Sequence, residues 1–329
     1  MKLIKKIILT LTFPMLMFAA MLIITAISPQ CQVNGHNIFL EKGLITNVCK
    51  NTCLSVCVAL AIWLQFKNGR FDFSGGASMV LAAIAAGTIG QKAGNPWAAF
   101  LVAAGMGILL CLITGLVYVY SRIPIIICTI GITFLYESLT YLTFGGNGVR
   151  GFFSNYSLAY FGRMPGIFIP AVLAVVCFVT YNYFTVSGRR SKILANNQIS
   201  GVNVGINEKR EVIISYLFTG FIIGMAATIY VTKNDIEAQS GLSTSGILFS
   251  FIVPVFMGMF IGFASCDVIG ILMAAIGMEI MNYGLACMNL GAGGWQQIIF
   301  GIFVLGFYTF SSQSGKITAL IKKKNKLKA

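Results

Sequence analysis

Long apolar stretches alternate with short polar ones along almost the whole chain. Each apolar stretch has the length of a membrane-spanning helix, because a bilayer core about 30 Å thick needs roughly 20 residues at a rise of 1.5 Å each. The pattern predicts an all-α membrane protein, a polytopic bundle of about ten transmembrane helices. These helices are expected near residues 7–27, 44–66, 72–90, 97–120, 123–143, 166–184, 211–232, 246–263, 268–288 and 295–312.

The polar segments between these helices are too short to build a core of their own, so residues 1–329 are predicted to form one transmembrane domain. Composition agrees, because 57% of the residues are hydrophobic and 10% are charged, against about 45–50% and 25% in an ordinary soluble domain. The first apolar stretch follows a basic start, as a signal peptide does, but its length of about 21 residues favours a retained helix.

Basic residues are concentrated in alternate loops. If the N-terminus is cytoplasmic, seventeen Lys and Arg residues fall on the cytoplasmic side and six on the outer side. This is the positive-inside bias of a multi-pass protein of the plasma membrane, with both termini and the basic tail 313–329 inside. The formal charge of +14 does not indicate nucleic-acid binding, because the basic residues do not form one soluble face.

The nine cysteines lie mostly within predicted helices and indicate no disulfide framework. Cys49, Cys53 and Cys57 share a helix face and could bind a metal or simply pack as small apolar side chains. Packing is favoured, because the chain has one histidine, His36, in an outer loop. No metal is therefore predicted.

Two acidic residues lie deep in predicted helices, and intramembrane charges are costly. Glu137 belongs to the fifth predicted helix and Glu279 to the ninth, where Asn282 follows on the same face. They either form the polar wall of a solute path or make hydrogen-bonded packing contacts. The longest cytoplasmic connection, residues 185–210, carries five basic residues and is expected to contact a cytoplasmic partner.

Four stretches carry a family pattern. Residues 69–76 read Gly-Arg-Phe-Asp-Phe-Ser-Gly-Gly and resemble Gly-Gly-Ile-Asp-Leu-Ser-Val-Gly, with Asp72, Ser74 and Gly76 matching and Arg70 in place of a glycine. Asp and Ser before an apolar run are equally typical of a helix cap. Residues 122–131 read Arg-Ile-Pro-Ile-Ile-Ile-Cys-Thr-Ile-Gly and are similar to Arg-Ile-Pro-Pro-Phe-Ile-Val-Thr-Leu-Gly.

The third stretch, from residue 205, begins Gly-Ile-Asn-Glu-Lys-Arg and resembles Gly-Ile-Asn-Val-Lys-Arg. Asn197 matches an asparagine that precedes that segment, whereas Ser200 and Gly201 replace an alanine pair. The fourth combines residues 282–285, Asn-Tyr-Gly-Leu, with residues 295–301, Trp-Gln-Gln-Ile-Ile-Phe-Gly. Together the stretches resemble the permeases of the ribose-type ABC import family, which carry monosaccharides, nucleosides and related solutes. Residues 262–267 depart from the family's glycine-rich loop, so the chain is identified as a divergent member.

The resemblance implies an ABC importer permease fold and a transport subunit that is not itself an enzyme. The sequence contains no Gly-x-x-x-x-Gly-Lys-[Ser/Thr] phosphate loop, so ATP and Mg are expected on a separate ABC ATPase subunit and no cofactor on this chain. Further implied partners are a second permease chain, identical or different, and an extracytoplasmic solute-binding protein, beside membrane lipid. The solute is expected to be a sugar or a similarly polar molecule such as a nucleoside.

The same resemblance implies the sites. The residues expected to couple the chain to the ATPase are Asn197, Gly201, Gly205, Ile206 and Arg210. The residues expected along the substrate path, from the resemblance and from intramembrane polarity, are Asp72, Ser74, Glu137, Glu279, Asn282, Gln296 and Gln297. The alternative is a secondary transporter or channel driven by an ion gradient, with Glu137 and Glu279 as its ion sites; a non-transport scaffold is a third and weaker reading.

Overall fold

Helices account for most of the chain in the computed structural model, which describes residues 2–33, 36–41, 43–262 and 265–291, and the positions 298, 301, 302 and 305. The α-helices are α1 (Lys2–Ile27), α2 (Gly43–Lys67), α3 (Gly75–Ala93), α4 (Pro96–Ser121), α5 (Ile125–Leu142), α6 (Phe168–Val179), α7 (Val186–Asn196), α8 (Gln198–Asn203), α9 (Glu208–Val231), α10 (Ser243–Ser250), α11 (Ile252–Gly262) and α12 (Asp267–Cys287). Two short strands, β1 (Gln32–Val33) and β2 (His36–Asn37), form an antiparallel pair between α1 and α2.

The predicted all-α polytopic bundle is confirmed, and nine of the ten predicted helices coincide with helical segments. In the described part of the chain, seven helices are long and apolar enough to span a membrane. The number is eight if α6, the π-helix Thr180–Phe184 that follows it and α7, which are bent by 71° at a break, count as one span. Helix α3 lies where the third span is expected but is not among them, because its apolar residues are mostly small and it ends in Gln91 and Lys92. The tenth predicted helix, 295–312, falls outside the continuously described residues.

One predicted span is divided into two helices. The apolar run at residues 246–263 predicts a single helix, but α10 ends at Ser250 and α11 begins at Ile252. Residues 243–262 together still have the length and apolarity of one span. A break within a span needs partners for the freed backbone groups. Consistent with this need, the short helix α10 is packed inside the protein against α3, α5 and α11.

Helices α4 and α9 pack backbone to backbone at a group of glycines. A Cβ added to Gly107 would lie 2.5 Å from the carbonyl oxygen of Gly220 and 2.6 Å from the nitrogen of Gly224. Gly258 and Gly270 make a similar contact between α11 and α12. Small residues drive helix association in membranes because they let backbones approach closely, so the glycines of these helices serve the tight packing that their spacing predicts.

The two ends of the bundle differ in charge. One end, called here the basic end, carries the connections 68–74, 122–124 and 185–207 and most of the Lys and Arg side chains among the described loops. The opposite end carries residues 143–167 and 232–242, which are joined by an antiparallel bridge between Val149 and Ile236. The charge difference matches the positive-inside pattern, which makes the basic end the predicted cytoplasmic face.

Candidate functional site

The connection between α2 and α3 holds a buried cation. Arg70 is 8% exposed, and its Nε donates to Oε1 of Gln65 at 3.2 Å while its Nη2 donates to Oγ of Ser215 at 2.9 Å. Gln65 in turn donates to the hydroxyl of Thr219 at 2.8 Å. Arg70 thus joins the end of α2 to α9 through hydrogen bonds of a charged donor, which are stronger than neutral ones.

Asp72 organises the start of α3. One carboxylate oxygen of Asp72 accepts from the backbone N–H and from the hydroxyl of Ser74, both at 2.7 Å. Ser74 occupies the N-cap position, but its hydroxyl bonds to Asp72 and makes no cap hydrogen bond to α3. Burial raises the pKa of Asp72 above its ordinary value, and the bonds from Ser74 and the charge of Arg70 oppose that rise. The predicted cap is therefore an Asp–Ser turn that precedes the helix.

The start of α10 brings Glu137 close to this turn. The carboxylate of Glu137, 1% exposed, accepts from the N–H of Leu242 at 2.8 Å, from the N–H of Thr244 at 2.9 Å and from the Thr244 hydroxyl at 2.6 Å. The carbonyl oxygen of Thr244 lies against Gly76, near the beginning of α3. Glu137 therefore supplies the acceptors that the free N–H groups at a helix start require.

Polar side chains continue from this turn towards α5. The Ser74 hydroxyl lies 3.5 Å from the hydroxyl of Thr114, which lies 3.4 Å from the hydroxyl of Tyr136. Tyr136 precedes Glu137 on α5 and donates to the carbonyl oxygen of Leu110 at 2.7 Å. Asp72, Ser74 and Glu137 thus lie in one polar region around the starts of α3 and α10. Tyr136 and Thr244 belong to this region and were missed from the sequence, where isolated hydroxyls in apolar helices give no signal.

Glu279 lies in a separate polar group between α2 and α12. Its carboxylate accepts from the hydroxyl of Ser55 and, at 3.2 Å, from the side-chain amide of Asn282. Lys233, just after α9, donates to Asn51 on α2 and lies within electrostatic reach of Glu279. Burial lowers the pKa of Lys233, and the charge of Glu279 opposes that change. The structure pairs Glu279 with Asn282 as their spacing predicts, but does not bring them to Asp72.

Four of the five predicted coupling residues lie in one helical hairpin, residues 186–206, called here the coupling segment. The Asn197 side chain accepts from the N–H of Ser200 at 3.1 Å and so caps α8. Gly201 packs against Leu194, where an added Cβ would lie 2.8 Å from a methyl group. Gly205 has a φ of +87°, and the N–H of Ile206 returns to the carbonyl oxygen of Gly201 at 3.2 Å. Arg210 follows in the first turn of α9.

Apolar side chains on this hairpin are exposed. Ile199 is 76% exposed, Val202 47% and Val204 80%. Exposed apolar groups clustered on a polar surface are typical of a protein contact. These three residues were not among the predicted coupling residues, although their position in a polar loop is a signal that the sequence does contain.

The coupling segment is fixed to the membrane helices. The carboxylate of Glu211 on α9 accepts from the Ser187 hydroxyl and, at 3.4 Å, from Nη1 of Arg190. Asn68 donates to the Tyr181 hydroxyl at 3.3 Å, and Tyr181 donates to Ser191 on α7 at 2.9 Å. These hydrogen bonds would therefore transmit a displacement of the hairpin to α9 and to the α2–α3 connection.

The remaining predicted positions do not join these groups. Gln296 and Gln297 lie outside the described residues. Cys57 is buried in the core, and Cys49 and Cys53 line an apolar groove of about 550 Å³ among α1, α2, α6 and α12. Among the described residues, no group of three or more His, Cys, Asp or Glu side chains could hold a metal ion.

The protein has the architecture of a membrane permease. Its spans pack at glycines, one helix is divided and its start is bound inside the protein, and a hairpin is exposed at the basic end. Comparison with known proteins supports this class. A family described as the permease component of a branched-chain amino acid transport system matches residues 44–308. The chain belongs to this family of transport permeases.

Individual relatives give the same result. The chain is 25% identical over 300 residues to the galactose/methyl galactoside import permease protein MglC of Escherichia coli K12, covering 81% of this chain and 85% of that protein. It is 24% identical over 296 residues to MglC of Haemophilus influenzae, with the same coverage. It is 23% identical over 253 residues to the autoinducer 2 import system permease protein LsrD of Photorhabdus temperata, covering 72% and 74%. The predicted resemblance to sugar importer permeases is confirmed.

Proposed function

We propose that the chain is the membrane-spanning permease subunit of an ATP-binding-cassette importer that carries a sugar or a similarly polar solute, such as a nucleoside. The observation that carries this proposal is the coupling segment. It presents Ile199, Val202 and Val204 to solvent at the basic end, where a cytoplasmic ATPase would bind. Membership of a permease family and similarity to galactose and autoinducer 2 import permeases support it.

Its partners follow from the sequence and the hairpin. The sequence has no phosphate loop, so ATP and Mg bind to a separate pair of ATPase subunits and this chain is not an enzyme. A second permease chain completes the pathway, and an extracytoplasmic binding protein delivers the solute at the opposite end. The assembly resides in the bacterial cytoplasmic membrane with both termini of this chain in the cytoplasm, as the charge pattern predicts.

Coupling would begin at the hairpin. When the ATPase pair closes on ATP, it pushes on the residues that form and border the hairpin's turns, namely Asn197, Gly201, Gly205, Ile206 and Arg210. The contacts of Glu211 with Ser187 and Arg190 transmit that push to α9. Because α9 packs backbone to backbone against α4, the two helices would move together and change which end of the bundle is open.

The solute path is proposed along the polar residues. Hydroxyl-rich solutes need hydrogen-bonding groups in an apolar pathway, and the candidates are Asp72, Ser74, Glu137, Glu279, Asn282, Gln296 and Gln297. The relatives named for galactose and autoinducer 2 favour a hydroxylated solute over an amino acid. A carrier driven by an ion gradient is not favoured, because the relatives are named as permeases of import systems and Glu137 already holds two N–H groups and a hydroxyl.

Co-purification with the ATPase tests the coupling assignment. Gly205→Trp forces a bulky side chain into a position with φ of +87°, and Arg210→Glu reverses a charge at the start of α9. We expect both variants to lose the ATPase during purification and to lose uptake. Arg163→Glu, the same charge reversal at the opposite end, is the control and should retain the ATPase. Wild-type ATPase binding and uptake in both Gly205→Trp and Arg210→Glu would refute the assignment.

A further inference from the structure

Arg70 lies between two openings at the basic end of the bundle. On the inner side, a cavity of about 20 Å³, enough for one water molecule, is lined by Gln65, Arg70, Asp72 and Thr219 together with apolar side chains. On the side that faces the coupling segment, a cleft of about 170 Å³, called here the outer cleft, is lined by Arg70 and by residues of the coupling segment, including Ser191, Ala195 and Gln198. The side chain of Arg70 therefore separates the interior around Asp72 from the cleft beside the coupling segment.

The bonds of Arg70 connect elements that would have to move relative to one another. Nε is held by Gln65 at the end of α2, and Nη2 is held by Ser215 on α9. The preceding residues contact the coupling segment directly. Asn68 reaches Ser191 through the Tyr181 hydroxyl, and a Cβ on Gly69 would lie 3.6 Å from the Cβ of Ala195. Asp72, two residues after Arg70, fixes the turn before α3.

Charge makes this position sensitive to movement. Asp72 lies within electrostatic reach of the Arg70 guanidinium, and Glu208 at the start of α9 lines the outer cleft with it. Nη1 has no bond to an acceptor among the described residues, so part of the guanidinium is available to a new partner when the cleft or the cavity widens. A buried cation holds its surroundings strongly when bonded and destabilises them when a partner is removed.

The family pattern that residues 69–76 resemble has a glycine where this chain has Arg70. A glycine could supply neither the two side-chain bonds nor the barrier between cavity and cleft. Asp72, Ser74 and Gly76 match the pattern. The arginine therefore adds a connection to an existing turn.

We propose that Arg70 is a positioning residue that links movement of the coupling segment and α9 to the start of α3 and keeps the basic end closed between transport events. The inference rests on the proposed function as an ATP-driven permease. On this account, Arg70 contributes to the coupling of ATP hydrolysis to solute movement and does not bind the solute.

The test measures moles of solute taken up per mole of ATP hydrolysed in vesicles that contain the complete transporter. The variants are Arg70→Gly, which introduces the residue of the sequence pattern, and Arg70→Lys, which keeps the charge but not the two-point bonding of the guanidinium. The matched control is Arg122→Gly. It also removes one arginine from the basic end, and Arg122 is exposed and already has a φ of +58°.

We expect Arg70→Gly to continue ATP hydrolysis while uptake per ATP falls by about tenfold, within the usual range of coupling between two sites. Arg70→Lys should lie between Arg70→Gly and wild type, and Arg122→Gly should match wild type. The ratio is independent of the amount of folded protein, so a loss of stability alone would not change it. An unchanged ratio in both Arg70 variants would refute the role of Arg70 alone. Wild-type uptake that does not depend on ATP would refute the proposed function as well.

Discussion

Replacement of Glu137 by glutamine tests whether the charge of this carboxylate holds the start of α10. The glutamine has the same shape, and its carbonyl oxygen can still accept from the N–H and the hydroxyl of Thr244. Its amide group, however, would face the N–H of Leu242, whose nitrogen now lies 2.8 Å from the carboxylate oxygen. Two donors would then oppose each other at a site that is 1% exposed.

The cost follows from the bonds that are lost. Removing one hydrogen bond to a charged group costs about 1.5–3 kcal/mol, and leaving a buried N–H without an acceptor costs about 1–3 kcal/mol, with some overlap between the two. Leu242 also has a φ of +65°, a conformation that is unfavourable by about 1–2 kcal/mol for such a residue and needs its surroundings to hold it. We expect Glu137→Gln to lower the free energy of unfolding by about 2–4 kcal/mol.

Equilibrium unfolding of the purified protein in detergent measures this loss. Glu237→Gln is the matched control, because Glu237 makes an exposed ion pair with Arg150 at 3.2 Å, with side chains 69% and 72% exposed. Such a pair contributes about 0–1 kcal/mol. If Glu137→Gln costs no more than Glu237→Gln, the reasoning is wrong.

Two further predictions concern packing and charge. Gly107→Ala should lower the free energy of unfolding by about 1–3 kcal/mol through overpacking against α9. Gly105→Ala on the same helix, with no atom within 4 Å of the added Cβ, should leave that free energy unchanged or raise it by up to about 1 kcal/mol. Equal effects of the two substitutions in the same detergent assay would contradict the close packing. Lys67 and Asp267 form an ion pair with side chains 23% and 22% exposed. A double-mutant cycle with Lys67→Met and Asp267→Asn should therefore give an interaction energy of about 1 kcal/mol that falls at high salt. The absence of an interaction energy at low salt would show that the pair does not stabilise the basic end.

Hydrophobic pattern alone predicts most of the spans, because a bilayer requires long apolar helices wherever the chain crosses it. It fails at Phe251, where a largely apolar run is divided into α10 and α11. The contact that holds the start of α10 is also distant in sequence. The acceptors that satisfy the start of α10 belong to Glu137, more than a hundred residues earlier, and no local pattern records that contact.

The candidate sites were predictable to different degrees. The hairpin turns at Asn197 and Gly205 use local chemistry, an asparagine cap and a glycine with positive φ, so sequence could locate them. The pairing of Glu279 with Asn282 also follows from helical spacing. The bonds of Arg70 to Gln65 and Ser215 depend on how α2 and α9 pack, and a lone arginine near a helix end gave no indication of them beyond positive charge.

Transport by the complete assembly tests the central claim most directly. Vesicles containing this chain, its ATPase subunits and the binding protein would be supplied with radiolabelled galactose or ribose, with ATP or a non-hydrolysable analogue, and with or without an uncoupler. The account predicts uptake that requires ATP hydrolysis, persists with the uncoupler and is lost in Gly205→Trp. Uptake that follows an ion gradient without ATP, and that the uncoupler abolishes, would contradict it.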